Sequence, residues 1–114
     1  MEFYKYSGSG NDFIMLDDRN GEVKFSAQNI AQWCDRRFGI GADGVILVGA
    51  SAQHDFSMRI INSDGTEAEM CGNGARCSVH FAYNVLGLNK SKKFSFNTMN
   101  LSLIHISEPT RLGM

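Results

Sequence analysis

Within five residues, Met70-Cys71-Gly72-Asn73-Gly74 brings together a thiol, two glycines and an amide, and an apolar run follows directly. That order places the glycines where a helix opens. The N–H groups of a first helical turn have no partner within the helix and carry partial positive charge. A cysteine just before such a terminus has its thiolate favoured, and the thiolate is the reactive form. Gly72 and Gly74 permit a carboxylate to approach the bare N–H groups, as anions do at helix starts, and Asn73 adds an amide. The local chemistry is a thiolate or thiol beside an anion cradle. The plainer reading is a small apolar cysteine in a glycine-rich connection.

Other residues are weaker candidates. Asn11 and Asn62 lie at strand ends beside turn residues, and each read alone is a turn-forming asparagine. Asp64, Glu67 and Glu69 are candidate general acids or bases, although a solvated acidic turn accounts for them. Gly39-Ile40-Gly41-Ala42-Asp43-Gly44 spells G-x-G-x-x-G. A dinucleotide-binding loop leaves a strand and opens a helix; here a helix precedes and a strand follows, so a tight helix-to-strand connection is expected. Cys34, Cys71, Cys77, His54 and His80 show no C-x-x-C or H-x-x-x-H spacing, so no metal site is expected. Cys34 and Cys77 read as core residues, His54 as a loop residue, and His80 as a helix-surface or core residue.

The elements that must position these residues follow from periodicity. Phe3, Tyr4 and Tyr6 form a short β-prone run that stops at Gly8-Ser9-Gly10, and 13–16 is a second run, giving two strands around a glycine-rich turn. Ser26 is a good N-cap for a helix over 27–37, with Ile30, Trp33 and Cys34 on one face and Gly39 ending it. Strands are expected over 45–48, 55–62 and 93–98, with Phe94 and Phe96 on one face of the last. A turn covers 63–66. A largely buried helix is expected over 75–86, with Gly87 following it. Strands and helices do not alternate regularly, which gives an α+β or mixed α/β class.

Composition bounds the rest. The 114 residues suffice for one small domain. They are 43% hydrophobic and 20% charged with net charge −1, the balance of a soluble globular protein. No basic excess points to nucleic acid, and no apolar run approaches the roughly 20 residues needed to cross a bilayer. Three cysteines cannot all pair within the chain. With no export signal at the N-terminus, they read as reduced thiols in the cytoplasm. The C-terminal stretch 101–114 has no turn or periodicity tying it to what precedes. It looks like the in-frame translation of a sequencing-library adapter, so it is set aside from functional reasoning; the plainer reading is a genuine short strand ending in a Pro-containing turn.

Three motifs taken together go further: Gly8-Ser9-Gly10-Asn11-Asp12-Phe13, then Gly39-Ile40-Gly41-Ala42-Asp43-Gly44, then the stretch from Asn62-Ser63-Asp64-Gly65-Thr66 through Met70-Cys71-Gly72-Asn73-Gly74-Ala75-Arg76-Cys77. In order and separation they closely resemble the N-terminal half of the diaminopimelate epimerases, over residues 1–100. The third motif is the most specific. The resemblance implies a cofactor-independent enzyme that interconverts L,L- and meso-diaminopimelate for lysine and peptidoglycan synthesis. It implies a domain whose curled, mostly antiparallel sheet surrounds a central helix, incomplete here, with the substrate in a cleft between two such domains. Each domain gives one cysteine; one removes the α-proton as thiolate and the other returns a proton to the opposite face. By the motif match Cys71 is this domain's acid/base, Gly72 and Asn73 hold a substrate carboxylate, and Asn11 and Asn62 contact substrate. No metal or other cofactor, nucleic acid or membrane is implied, and a homodimer of the full-length parent is compatible.

Two departures matter. Some members carry a substrate-contacting Gln where this chain has Gly44, so that contact is not carried over. The family chain is also more than twice this length, and its second cysteine and second cradle have no counterpart here. The fragment alone is therefore expected to be inactive and poorly stable, with the apolar faces bearing Phe56, Met58, Phe94 and Phe96 exposed. Other isomerases of the same paired-domain scaffold, proline racemase-like or phenazine-synthesis-like, and a non-catalytic carboxylate-binding fragment are the competing readings.

Overall fold

The computed structural model describes residues 2–8, 10–52, 56–68, 72–87, 93–97 and 103–107. Seven strands form one sheet: β1 (Tyr4–Gly8), β2 (Asn11–Asp18), β3 (Gly44–Gly49), β4 (Phe56–Asn62), β5 (Glu67–Ala68), β6 (Lys93–Asn97) and β7 (Leu103–Ser107). The path through the sheet is β1-β2-β3-β4-β6-β7, with β5 paired to β4. Pairs β2/β3 and β4/β6 are parallel and the other four are antiparallel, so the mixed, mostly antiparallel class holds. One edge of β4 is shared: Ile60 and Ile61 face β5, while Phe56 and Ser57 face β6. The last strand falls within 101–114.

Helix α1 (Ala27–Cys34) lies on one face of the sheet and α2 (Gly72–His80) on the other, and the strand residues alternate accordingly. Ile14, Leu16, Val45, Leu47 and Ile61 pack with Ile30 and Cys34 of α1. Met15, Ile46, Val48, Met58 and Ile60 pack with Ala75, Cys77 and Val79 of α2. Covered on both sides, residues 13–16 and 44–48 are buried throughout, which is why these strands read as unbroken apolar runs. Phe56 and Met58 are buried as well; they line the α2 face of the core. This corrects the expectation that their face is uncovered. The side chains of Phe94 and Phe96 lie outside the described residues.

Both helices depart from their expected bounds. Ser26 caps α1 as expected, its Oγ accepting from the Asn29 N–H at 3.1 Å. The helix stops at Cys34 rather than at 37 because Asp35 takes an extended conformation. The Asp35 carboxylate then accepts from the N–H groups of Arg37 and Phe38 at 2.8 and 2.9 Å, a local turn that competes with further helix. The chain folds back, and the N–H groups of Ile40 and Gly41 donate to the Trp33 carbonyl at 2.9 and 3.0 Å.

Helix α2 begins at Gly72, three residues before its expected start. Gly72 and Gly74 each cost about 1 kcal/mol relative to Ala, which the burial of Ala75, Cys77 and Val79 offsets. After His80 the chain widens into a π-helical turn over Phe81–Val85. There Asn84 Nδ2 donates to the His80 carbonyl at 3.1 Å, and the Leu86 N–H reaches back to the Phe81 carbonyl.

The β4–β5 turn carries a stability prediction. Gly65 has φ +92°, and a Cβ there would overlap the backbone and side chain of Ala27 at the start of α1. Gly65→Ala is expected to destabilise the fold by about 1–3 kcal/mol, from strain at positive φ and overpacking. Denaturant unfolding checks this; an unchanged midpoint would contradict the packing of this turn on α1.

Candidate active site

The strand register gathers the motifs at one end of the sheet. Phe13 pairs with Gly44, and Gly44 pairs with Asn62. Asn11 therefore opens β2, Gly44 opens β3 and Asn62 closes β4, all at the same end. Asn11 and Asn62 flank β3, so about 10 Å, two strand spacings, separates their strands. Helix α2 packs against β1 of the same sheet. Near its C-terminal end, the Phe81 ring lies 5.2 Å from Tyr4 and His80 Nδ1 lies 3.0 Å from the Tyr6 hydroxyl. The Phe81 ring also lies 6.0 Å from Tyr6, so both tyrosines pack on that end of the helix. The backbone of Gly72 and Asn73 forms its first turn. Cys71 and Glu69 lie outside the described residues, as does His54.

Asn11 sits in a network of charged groups. Its Nδ2 donates to Asp43 Oδ2 at 3.4 Å, and the Asp12 N–H donates to the same oxygen at 3.0 Å. The Asp43 N–H returns a bond to the Asp12 carbonyl at 2.9 Å. Arg36 forks onto the Asp12 carboxylate at 2.7 and 3.0 Å and reaches Asp43 Oδ1 at 3.1 Å. Lys5 adds an ion pair to Asp12 at 3.2 Å. Hydrogen bonds from Arg36, against a smaller opposing effect of burial, hold the Asp12 carboxyl far below the ordinary carboxylate range. Asp12, Arg36 and Asp43 were not singled out as site residues from the sequence. Asp12 and Asp43 stand inside the motifs, so their place was visible there; the pairing through Arg36 was not.

Asn62 is held differently. Its Nδ2 donates to Thr66 Oγ1 at 3.2 Å, and Thr66 donates through N–H and hydroxyl to Asp64 Oδ1 at 2.9 and 2.6 Å. These bonds lower the Asp64 pKa. Glu67 is lowered by the fork that Arg59 makes onto its carboxylate at 2.7 and 3.0 Å. Both acids are thus fixed as anions in turn and pairing roles, not poised for proton transfer. Gly44 admits no side chain on this backbone: a Cβ would stand 2.7 Å from the Ile61 carbonyl oxygen.

The remaining thiols and imidazole are accounted for by packing. Cys34 and Cys77 are buried and lie on opposite faces of the sheet. Burial pushes the Cys34 thiol up, away from the reactive thiolate. Burial also lowers His80, and it raises its partner Tyr6 to about 12. The G-x-G-x-x-G segment is a helix-to-strand connection between α1 and β3, as its order requires. Among the described residues no helix is long and apolar enough to cross a membrane.

A mixed sheet with one helix on each face, and the motif residues gathered at one sheet end, defines this as a domain of the phenazine-biosynthesis and epimerase fold. A PhzF-family phenazine biosynthesis protein of Enterococcus faecalis superposes with TM-score 0.70 at 12% identity, over 93% of this chain and 39% of its own. A Bacillus anthracis member of that family gives TM-score 0.64 at 16% identity, over 92% of this chain and 33% of its own. Sequence then narrows the class: the diaminopimelate epimerase profile matches residues 3–104, and the chain belongs to that family of isomerases. The diaminopimelate epimerase of Elusimicrobium minutum is 50% identical over 101 residues, 87% of this chain and 35% of the relative. That of Gloeothece citriformis is 57% identical over 83 residues, 71% of this chain and 30% of the relative. The chloroplastic enzyme of Oryza sativa subsp. japonica is 48% identical over 100 residues, 86% of this chain and 28% of the relative. The chain thus spans about a third of the length of the relatives it matches.

Proposed function

We propose that residues 1–100 are the first domain of a cofactor-independent diaminopimelate epimerase, and that residues 101–114 are foreign to it. In this reading the complete enzyme interconverts L,L- and meso-diaminopimelate in the cytoplasm, supplying lysine and peptidoglycan synthesis. Cys71 is this domain's acid/base at the α-carbon, and a cysteine of a second domain serves the opposite face. Gly72 and Asn73 offer backbone N–H groups at the start of α2 to a substrate carboxylate, where the helix dipole favours an anion. Asn11 and Asn62 contact the substrate from β2 and β4.

The observation that carries this reading is the register Phe13–Gly44–Asn62, which gathers separate motifs at one end of the sheet. Identity near 50% to diaminopimelate epimerases, against 12–16% to the phenazine proteins, favours the epimerase over other isomerases of the scaffold. The test is conversion of L,L- to meso-diaminopimelate by the complete enzyme in the presence of a chelator and a carbonyl scavenger. Undiminished turnover is expected. Activity lost to the chelator and restored by a defined metal, or lost to the scavenger, would contradict the cofactor-independent mechanism.

A further inference from the structure

We infer that Arg36 is a positioning residue for this reaction: by bridging Asp12 and Asp43 it fixes the direction of the Asn11 amide. The inference rests on the reading of Asn11 as a substrate contact. Asp43 Oδ2 receives Asn11 Nδ2 and the Asp12 N–H, while its other oxygen receives Arg36. The same guanidinium forks onto Asp12, the residue next to Asn11. Two carboxylates thus stand side by side on backbones already joined by the Asp43 N–H to Asp12 carbonyl bond. Without Arg36 they repel, with Lys5 left as a single point charge on Asp12. Asp43 then keeps the Asp12 N–H on Oδ2 but loses the anchor on its other oxygen, and the acceptor that helps aim Asn11 is held less firmly.

Arg36 is well placed for this role and poorly placed for another. Its side chain is 58% exposed, so it carries no core packing. A single exposed ion pair is worth little, but a planar fork spanning two carboxylates fixes their geometry, which a lysine cannot reproduce. Small misplacements of a substrate-positioning group are costly to rate.

The test is a double-mutant cycle in the complete enzyme, with Arg36→Met, Asn11→Ala and the pair. Arg36→Met is expected to lower kcat/KM about 10-fold, with Arg36→Lys only partly restoring it. The split of the loss between KM and kcat should match that of Asn11→Ala. In the Asn11→Ala background, Arg36→Met should cost less than about twofold, because both act through one contact. A full additive loss in that background would overturn the positioning role, and so would wild-type activity of Arg36→Met. If Asn11→Ala alone retains full activity, the substrate contact itself is wrong and the inference falls with it. Should Arg36→Met not fold, Asp43→Asn takes its place in the cycle, since it keeps the shape and removes the charge that Arg36 grips; the same non-additivity is expected and additivity overturns the role.

Discussion

Cys71→Ser in the complete enzyme is expected to lower kcat for epimerisation by about 10²–10⁴-fold, the usual worth of a positioned general acid or base. A serine hydroxyl has the size and the place of the thiol but is a far weaker acid, so it supplies neither the base nor the acid at pH 7. Neither of the other thiols can stand in. Cys34, at the end of α1, is buried against the sheet with its pKa raised by desolvation, and Cys77 is buried on the opposite face of the sheet. The thermal transition should stay near that of the wild type, because the substitution removes no core side chain in this reading. Limiting alkylation followed by peptide mapping serves as the control: Cys71 should label first, and preferential labelling of Cys34 would speak against the assignment. Near wild-type turnover of Cys71→Ser would reject the acid/base role.

The second large effect concerns the 114-residue chain by itself. It is expected to show no conversion of L,L- to meso-diaminopimelate above the uncatalysed background. Inversion at carbon needs a proton acceptor on one face and a donor on the other. In the proposed reading this chain supplies one of the two, Cys71; among the described residues the acids at 12, 64 and 67 have their pKa lowered by Arg36, Thr66 and Arg59, which makes them weak bases. Water in the place of the missing group forfeits the same 10²–10⁴-fold advantage. This expectation rests on the chemistry, not on an uncovered core, since Phe56 and Met58 are buried. Chiral separation of the two isomers after prolonged incubation is the check. Turnover at the complete enzyme's rate would show that two opposed bases are not required.

Much of this architecture was legible in the sequence, because its signals are local. The Ser26 cap, the apolar runs of β2, β3 and β4, and the turn at 63–66 each depend on residues close together in the chain. The two helix ends were misplaced for the same reason in reverse. Asp35 ends α1 by bonding its own following N–H groups, and a periodicity of apolar residues does not register that competition. The glycines of α2 look like a loop until the packing of Ala75, Cys77 and Val79 is counted. The ends of the sheet were harder still. That Asn11 and Asn62 share an end follows from pairing with Gly44, a long-range register that no single segment carries. The grip of Arg36 on Asp12 and Asp43 spans 24 positions in one direction and 7 in the other. Nothing in the neighbourhood of Arg36 alone announces it.

The central claim is that Cys71 moves the α-proton of the substrate on one face. It is tested most directly by incubating L,L- and meso-diaminopimelate separately with the complete enzyme in heavy water and following deuterium at the α-carbon. Wild type should incorporate solvent deuterium into the inverted product from either isomer. The Cys71→Ser enzyme should lose formation of inverted, deuterated product from both, since each direction needs both bases. Deuterated, inverted product from the variant at the wild-type rate would contradict the account.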